Sequence, residues 1–415
     1  MIDSLINKLR ISIYELVSLV MLIFMYLFYF YRYPFKINST LTSPTYHNTP
    51  LSIQIFKYVL FFIFYLVLIY IIHKNELLKK IDIKKIYGKI KWYIFFIVYI
   101  LISAVVFHLS SLHMLIRNSS VDFIIKFVFF TPLLLLPIFF SNFRNVKYII
   151  FYLFSMFLLI NVSSDIIQLI LFFTVHRLPA LAYSGGSVRF GGLWDDPNGS
   201  AYFTFLGVVY FIFNIDVLSN MKFFSERSKQ LYSYIFIILS IIYIGLTFSF
   251  TAFILLFLYG LYLIYIKNRY GYVILFFYIL SILVILFDKG LYTKEIVNKF
   301  PSAIKHFTNP TIVKTGSSLL TKVLKFFFGN KLTFSEDTYV QLFYSFGIIG
   351  FILFIYSFIS SIFNNRRNIE LIILIILFLI GSIGLPYFEI FPVNGFIFFL
   401  LGLYLFDDEY IKKLD

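Results

Sequence analysis

The chain contains no cysteine, which excludes disulfide bonds, thiolate nucleophiles and thiolate-held metal. It is also poor in charge: Asp, Glu, Lys and Arg make up 13% of its 415 residues, against 60% hydrophobic and 22% aromatic. That balance excludes a soluble domain and describes a polytopic membrane protein. No small-residue cleavage site follows the first apolar run behind Lys8 and Arg10, so that run is expected to stay as a membrane helix rather than be removed as a signal peptide. No soluble basic domain exists to meet nucleic acid, so the net charge of +15 has another origin. No repeat relates the two halves of the chain, as it would in many transporters. No cluster of His, Asp and Glu has metal-ligand spacing, and neither a metal nor another cofactor is expected.

What the chain has in abundance is long apolar runs. At about 20 residues per crossing, they predict an all-α fold of twelve transmembrane helices. The expected spans are 12–31, 52–72, 92–112, 123–140, 148–170, 200–216, 232–248, 250–266, 270–287, 338–360, 370–386 and 391–406. The seventh and eighth form one continuous run, too long for a single crossing and broken near Thr247 to Thr251, so two helices are expected to meet there at a tight external turn. Orientation follows from lysine. The loop after the second span carries Lys74, Lys79, Lys80, Lys84, Lys85, Lys89 and Lys91, which places it in the cytoplasm. Alternation from that anchor puts both termini inside. The chain then reads as one integral-membrane domain, 1–415, with two unusual external segments, 171–199 and 288–337.

Much of the positive charge is therefore topogenic, and membrane lipids with anionic headgroups favour it on the inner face. The 288–337 loop differs. Its lysines, Lys314 and Lys331 among them, outnumber Asp288, Glu295, Glu336 and Asp337, so the outer face is locally cationic and suited to a phosphate-bearing ligand. Within it, SSLLTKVLKFFF from Ser317 places Leu319, Leu320, Val323, Leu324 and Phe327 on one helical face, with Lys322 and Lys325 off it. A short amphipathic helix resting on the outer leaflet is expected.

The first external segment holds RFGGLWDDPNG, Arg189 to Gly199. Its glycines permit close backbone approach, Pro197-Asn198 favours a turn, and Arg189 offers a planar fork of donors suited to phosphate oxygens. Asp195-Asp196 reads as part of that turn, and Trp194 either stacks on a sugar or sits in the interfacial aromatic belt.

These residues carry a family resemblance. Arg189, Gly192, Pro197, Asn198 and Ala201 fit the pattern R-x-x-G-x-x-x-x-P-N-x-x-A, which resembles the signature loop of the O-antigen polymerase and ligase superfamily of bacterial membrane glycosyltransferases. SEDTYVQLFYSFGIIG, Ser335 to Gly350, is similar to the segment that leaves the large external loop in those proteins and enters the next helix. TFSFTA, Thr247 to Ala252, departs from the family: Phe250 stands where many members have arginine, so Arg177, Lys314 or Lys331 would have to supply that cation.

The resemblance implies a metal-independent, inverting transfer at the outer face of the bacterial cytoplasmic membrane, with an undecaprenyl-diphosphate-linked oligosaccharide as donor. Polymerases extend a second lipid-linked repeat unit, whereas ligases use lipid A core. Ligases generally carry His at the position of Glu336, which favours a polymerase of O-antigen or capsule here, with a chain-length regulator and a flippase as further partners.

The chemistry fits the residues. Breaking a sugar–diphosphate bond builds negative charge on the leaving group, which Arg189 would stabilise. The acceptor hydroxyl must lose its proton, for which Glu336 is the first candidate base and Asp337 the second. Arg177, Gly192, Trp194, Asn198, Lys314 and Lys331 are candidates for substrate binding. Each has a plainer alternative: Arg189 as an anchor of an interfacial helix end, Glu336 and Asp337 as caps of the helix starting near Thr338. His108 reads as a hydrogen-bonded bundle residue. Glu15 and Lys126 are costly in lipid and should face the interior or an interface, without a partner identifiable from sequence. The rival classes are a lipid-linked oligosaccharide flippase and a non-catalytic partner in envelope assembly.

Overall fold

The computed structural model describes residues 10–30, 51–108, 129–175, 182–184, 187–189, 197–215, 226–247, 249–287, 326–328, 338–383 and 393–407. Eleven α-helices occur among them: α1 (Ile13–Phe30), α2 (Leu51–Lys74), α3 (Ile83–His108), α4 (Phe143–Val175), α5 (Pro197–Phe213), α6 (Glu226–Thr247), α7 (Phe250–Tyr265), α8 (Arg269–Phe287), α9 (Thr338–Asn364), α10 (Ile369–Gly381) and α11 (Val393–Leu405). Five described stretches are long and apolar enough to cross a membrane: Ile55–Lys74, Ile83–Ser103, Phe143–Ile167, Arg227–Thr247 and Thr338–Asn364. The chain is a helical membrane protein. The break expected near Thr247 to Thr251 is present, with α6 ending at Thr247 and α7 beginning at Phe250.

One expected span takes a different form. The described end of 123–140 is a 3-10 helix, Thr131–Phe139, with proline at its start and Pro137 inside it. Proline has no N–H to donate and clashes with a preceding carbonyl, which disfavours a continuous α-helix. At about 2.0 Å per residue this segment is roughly 18 Å long, short of the ~30 Å apolar core.

The chain divides into two compact units, residues 1–27, 49–147 and 318–415 in one and 28–48 and 148–317 in the other. In the first, α11 is the centre: every one of its residues is buried. The 3-10 segment lies directly against it. A Cβ on Gly402 would collide with the Leu134 carbonyl, and one on Gly395 with Met25 and Leu133, so the absence of side chains seven residues apart sets the close approach. Across the unit α3 and α9 run antiparallel, with ring pairs Trp92–Tyr356 at 4.5 Å and Phe96–Phe354 at 5.5 Å. Phe358 continues the seam onto Phe378 of α10 at 4.9 Å.

Polar groups stitch this unit together. Ser12 and Glu15 form a reciprocal cap at the start of α1: the Ser12 N–H donates to Glu15 Oε2, and the Glu15 N–H to Ser12 Oγ. Glu15 Oε1 also accepts from the backbone N–H of Ser141 at 2.6 Å and of Asn142 at 2.8 Å, just ahead of α4. Asn142 caps α4 in turn through the Asn145 N–H. Glu15 is fully buried, so it faces the interior, as its cost in lipid requires. At the other end of α11 the Lys89 ammonium donates to Leu405 O at 2.8 Å, Asn368 Nδ2 donates to Tyr404 O at 2.7 Å, and Lys147 pairs with Asp407. Cations at a helix C-terminus satisfy carbonyls that the helix cannot.

The second unit packs α4 antiparallel to α5 through rings, with Phe151–Phe211 at 5.0 Å and Phe157–Phe203 at 5.8 Å. Phe211 stacks on Phe236 of α6 at 4.7 Å. A two-stranded hairpin, β1 (Ala182–Ser184) with β2 (Ser187–Arg189), follows α4. It falls within the segment 171–199 expected as a loop, where Gly185-Gly186 is a dipeptide that tight hairpin turns favour.

Candidate functional site

Arg189, the fixed cation of the signature run, lies on β2 with its backbone paired to Ala182. That places it at the opposite end of the ladder from the Ser184–Ser187 pair. The pattern closes on α5. Pro197 is the first helical residue, Asn198 the second and half-buried, and Ala201 is buried one turn along. The expectation of a turn at Pro197-Asn198 is therefore corrected: the dipeptide opens a helix. Proline suits that place because its fixed φ is helical and its missing N–H would have no partner there. A helix N-terminus at the end of the run is a favourable setting for an anion.

The antiparallel register of α4 and α5 brings two further polar residues to this end. Beyond Phe157, which meets Phe203, the next turns of α4 carry Asn161 and Asp165 toward the start of α5. Both are buried, Asp165 completely. Sequence reasoning passed over Asp165, although an aspartate inside an apolar run is itself the signal. A carboxylate at that level favours the positive end of α5. At the α6–α7 turn, Ser249 precedes α7 in extended conformation and is fully buried, while Phe250 is 41% exposed.

In the first unit, SEDTYVQLFYSFGIIG enters α9 at Thr338, whose N–H donates to Ser382 O at 3.0 Å. Thr338, Gln341 and Ser345 follow at helical spacing and are all buried, a polar stripe on the first part of α9. The helix is then interrupted. Gly347 has φ +66° and ψ −171°, a conformation essentially reserved to glycine, so two helical pieces meet there. The Tyr99 hydroxyl of α3 donates to Phe346 O at 2.8 Å and lies 3.4 Å from Phe327 O. A Cβ at Gly347 would run into the backbone of Phe327 and Phe328. Of the expected amphipathic helix, Phe326–Phe328 are described; they are helical, with Phe326 and Phe327 exposed.

Arg177, Gly192, Trp194, Lys314, Lys331, Glu336 and Asp337 lie outside the described residues, as do Asp195, Asp196 and Lys126. His108 is the last residue of α3. Among the described residues no group of three His, Asp or Glu stands close enough to hold a metal. Comparison of the chain with protein-family models, curated proteins and solved structures finds no match.

Proposed function

We propose that this protein is a polysaccharide polymerase, a multi-pass glycosyltransferase of the bacterial cytoplasmic membrane. Its expected frame is twelve spans with both termini in the cytoplasm. The acceptor hydroxyl of one lipid-linked repeat unit attacks the anomeric carbon of a glycan carried on undecaprenyl diphosphate. The bond from that carbon to the diphosphate oxygen breaks with inversion, the lipid diphosphate leaves, and the hydroxyl proton passes to a carboxylate. Arg189 stabilises the charge growing on the diphosphate, and Glu336, with Asp337 as second choice, takes the proton.

The observation that carries this reading is the run from Arg189 to Ala201, with its arginine, glycine and Pro-Asn spacing. The start of α5 at Pro197 supports it, because the N–H groups at a helix N-terminus favour phosphate oxygens. The decisive assay incubates purified protein with lipid-linked repeat units and measures glycan length. Wild-type protein should yield chains of many units. Arg189→Ala and Glu336→Gln should each abolish extension while inserting and eluting normally. Wild-type chain lengths in both variants would remove these residues from the mechanism.

A second reading, a lipid-linked oligosaccharide flippase, is favoured by the interruption of α9 at Gly347, since transporters use broken helices at their substrate sites. Movement of the lipid-linked unit across liposomes without elongation would select it over the polymerase.

A further inference from the structure

The start of α7 is a buried helix end whose capping residue does not cap. Elsewhere side chains close the helix starts: Asp82 accepts from the Lys84 and Lys85 N–H groups, Asn142 from that of Asn145, and Asn368 from that of Leu371. Ser249 holds the corresponding place before Phe250, in the extended conformation that a cap requires, yet its hydroxyl accepts no helix N–H. Ser249 is fully buried, and its Oγ has no hydrogen-bond partner among the described residues. The first bond of α7 runs from the Phe253 N–H to Ser249 O, so the N–H groups ahead of it find no carbonyl within the helix. The N–H that a serine cap would ordinarily hold is that of Ala252, three residues on and also completely buried.

Ring contacts within the second unit fix the depth of this end. Tyr232 and Phe236, early in α6, meet Phe151 near the start of α4 and Phe211 near the end of α5. The far end of α6 therefore lies where α5 begins, and α7 starts there too. At about 1.5 Å per residue, Thr247 stands roughly 17 Å beyond Phe236 and Pro197 roughly 21 Å beyond Phe211, so α5 and α7 begin at similar depth. At α5 the buried carboxylate of Asp165 already faces the level of the helix start. Among the described residues of α6, α7 and α8 the one acid is Glu226, which heads α6 at the opposite end. We propose that the start of α7 binds a phosphate oxyanion, whose oxygens accept from the Ser249 hydroxyl and the Ala252 N–H. Both groups are donors, and the helix adds positive potential at its N-terminus, which is why anions settle there. The depth selects phosphate. The membrane-length stretch Arg227–Thr247 ends two residues before Ser249, at the layer where lipid headgroups carry their phosphates, and the 41% exposure of Phe250 opens this end of α7 outward.

The inference is independent of glycan transfer and is tested without it. Purified protein in an uncharged detergent is titrated calorimetrically with inorganic phosphate and, separately, with short-chain phosphatidylglycerol, with short-chain diacylglycerol as the phosphate-free blank. Saturable binding of at least one phosphate compound, and none of the blank, is expected. Binding of phosphatidylglycerol alone assigns the ligand to a lipid headgroup; binding of inorganic phosphate as well shows that the phosphate group suffices. Ser249→Ala removes one donor and should weaken binding about tenfold, the scale of one hydrogen bond to a charge. Ser249→Asp puts a carboxylate at the helix end and should abolish binding by capping the helix itself. Ser240→Ala is the control, since Ser240 is equally buried but donates to Phe236 O on its own helix; its affinity should match wild type. If Ser249→Asp fails to elute as folded protein, Ser249→Ala decides. Absence of saturable binding of both phosphate compounds to folded wild-type protein, or unchanged affinity in the folded Ser249 variants, overturns the site.

Discussion

Replacing Glu15 by glutamine tests the best-defined polar junction of the molecule. The carboxylate accepts from three backbone N–H groups, those of Ser12, Ser141 and Asn142, and from the Ser141 hydroxyl, and it is fully buried. Glutamine keeps the shape but turns one oxygen into a donor. If its amide oxygen takes the Oε1 place, the Ser12 N–H faces another donor; in the reverse orientation, the Ser141 and Asn142 N–H groups do. At least one buried donor is therefore stranded, costing about 1–3 kcal/mol. The lost charge also removes a favourable interaction with the N-termini of α1 and α4, about 0.3–1 kcal/mol each and more when buried. Together these give roughly 2–5 kcal/mol. Ser12→Ala removes only the reciprocal cap and should cost about 1 kcal/mol. Reversible unfolding in mixed micelles, followed by circular dichroism, measures both. The reasoning fails if Glu15→Gln unfolds at the wild-type midpoint, or if it costs no more than Ser12→Ala.

Gly347→Ala should destabilise by at least 1–3 kcal/mol, the cost of holding a side chain at a forbidden backbone angle, with a further penalty for its collision with Phe327; the same unfolding assay should also show that Gly88→Ala, where a Cβ meets nothing, is close to neutral. Lys147→Met leaves Asp407 buried and without its ion-pair partner and should cost about 3–5 kcal/mol. The double variant Lys147→Met with Asp407→Leu should recover most of that loss, and a double variant no more stable than Lys147→Met alone would contradict the ion-pair account. Gly402→Val should loosen the seat of the 3-10 segment on α11 by about 1–3 kcal/mol, the usual cost of overpacking, readable as faster proteolysis near Leu134.

The helices were legible because hydropathy is a local sum. α2, α7 and α8 begin and end within about two residues of the expected spans, since a run of Phe, Ile and Leu long enough to cross lipid has few alternatives. The 3-10 segment was not legible from hydropathy, which counts Pro132 and Pro137 as gaps in an apolar run; proline acts through the backbone donor it lacks. At the candidate site, the Arg189 pattern was visible as residue spacing. The hairpin under Arg189 carried its own signal in Gly185-Gly186, and Asp165 carried one as a lone acid in an apolar run. The reciprocal cap was equally readable, as Ser-x-x-Glu at Ser12 to Glu15.

The sequence by itself determined a helical membrane protein, the positions of most helices, and the few polar residues too costly to leave facing lipid. Tertiary structure alone decided their partners. Glu15 reaches Ser141 and Asn142, Lys147 reaches Asp407, and Tyr99 reaches the carbonyl beside Gly347, each across more than a hundred residues of chain. The physical reason is that the penalty for burying a polar group is a property of one residue and can be read locally, whereas its relief depends on whichever backbone or side chain the packing of other helices brings within about 3 Å.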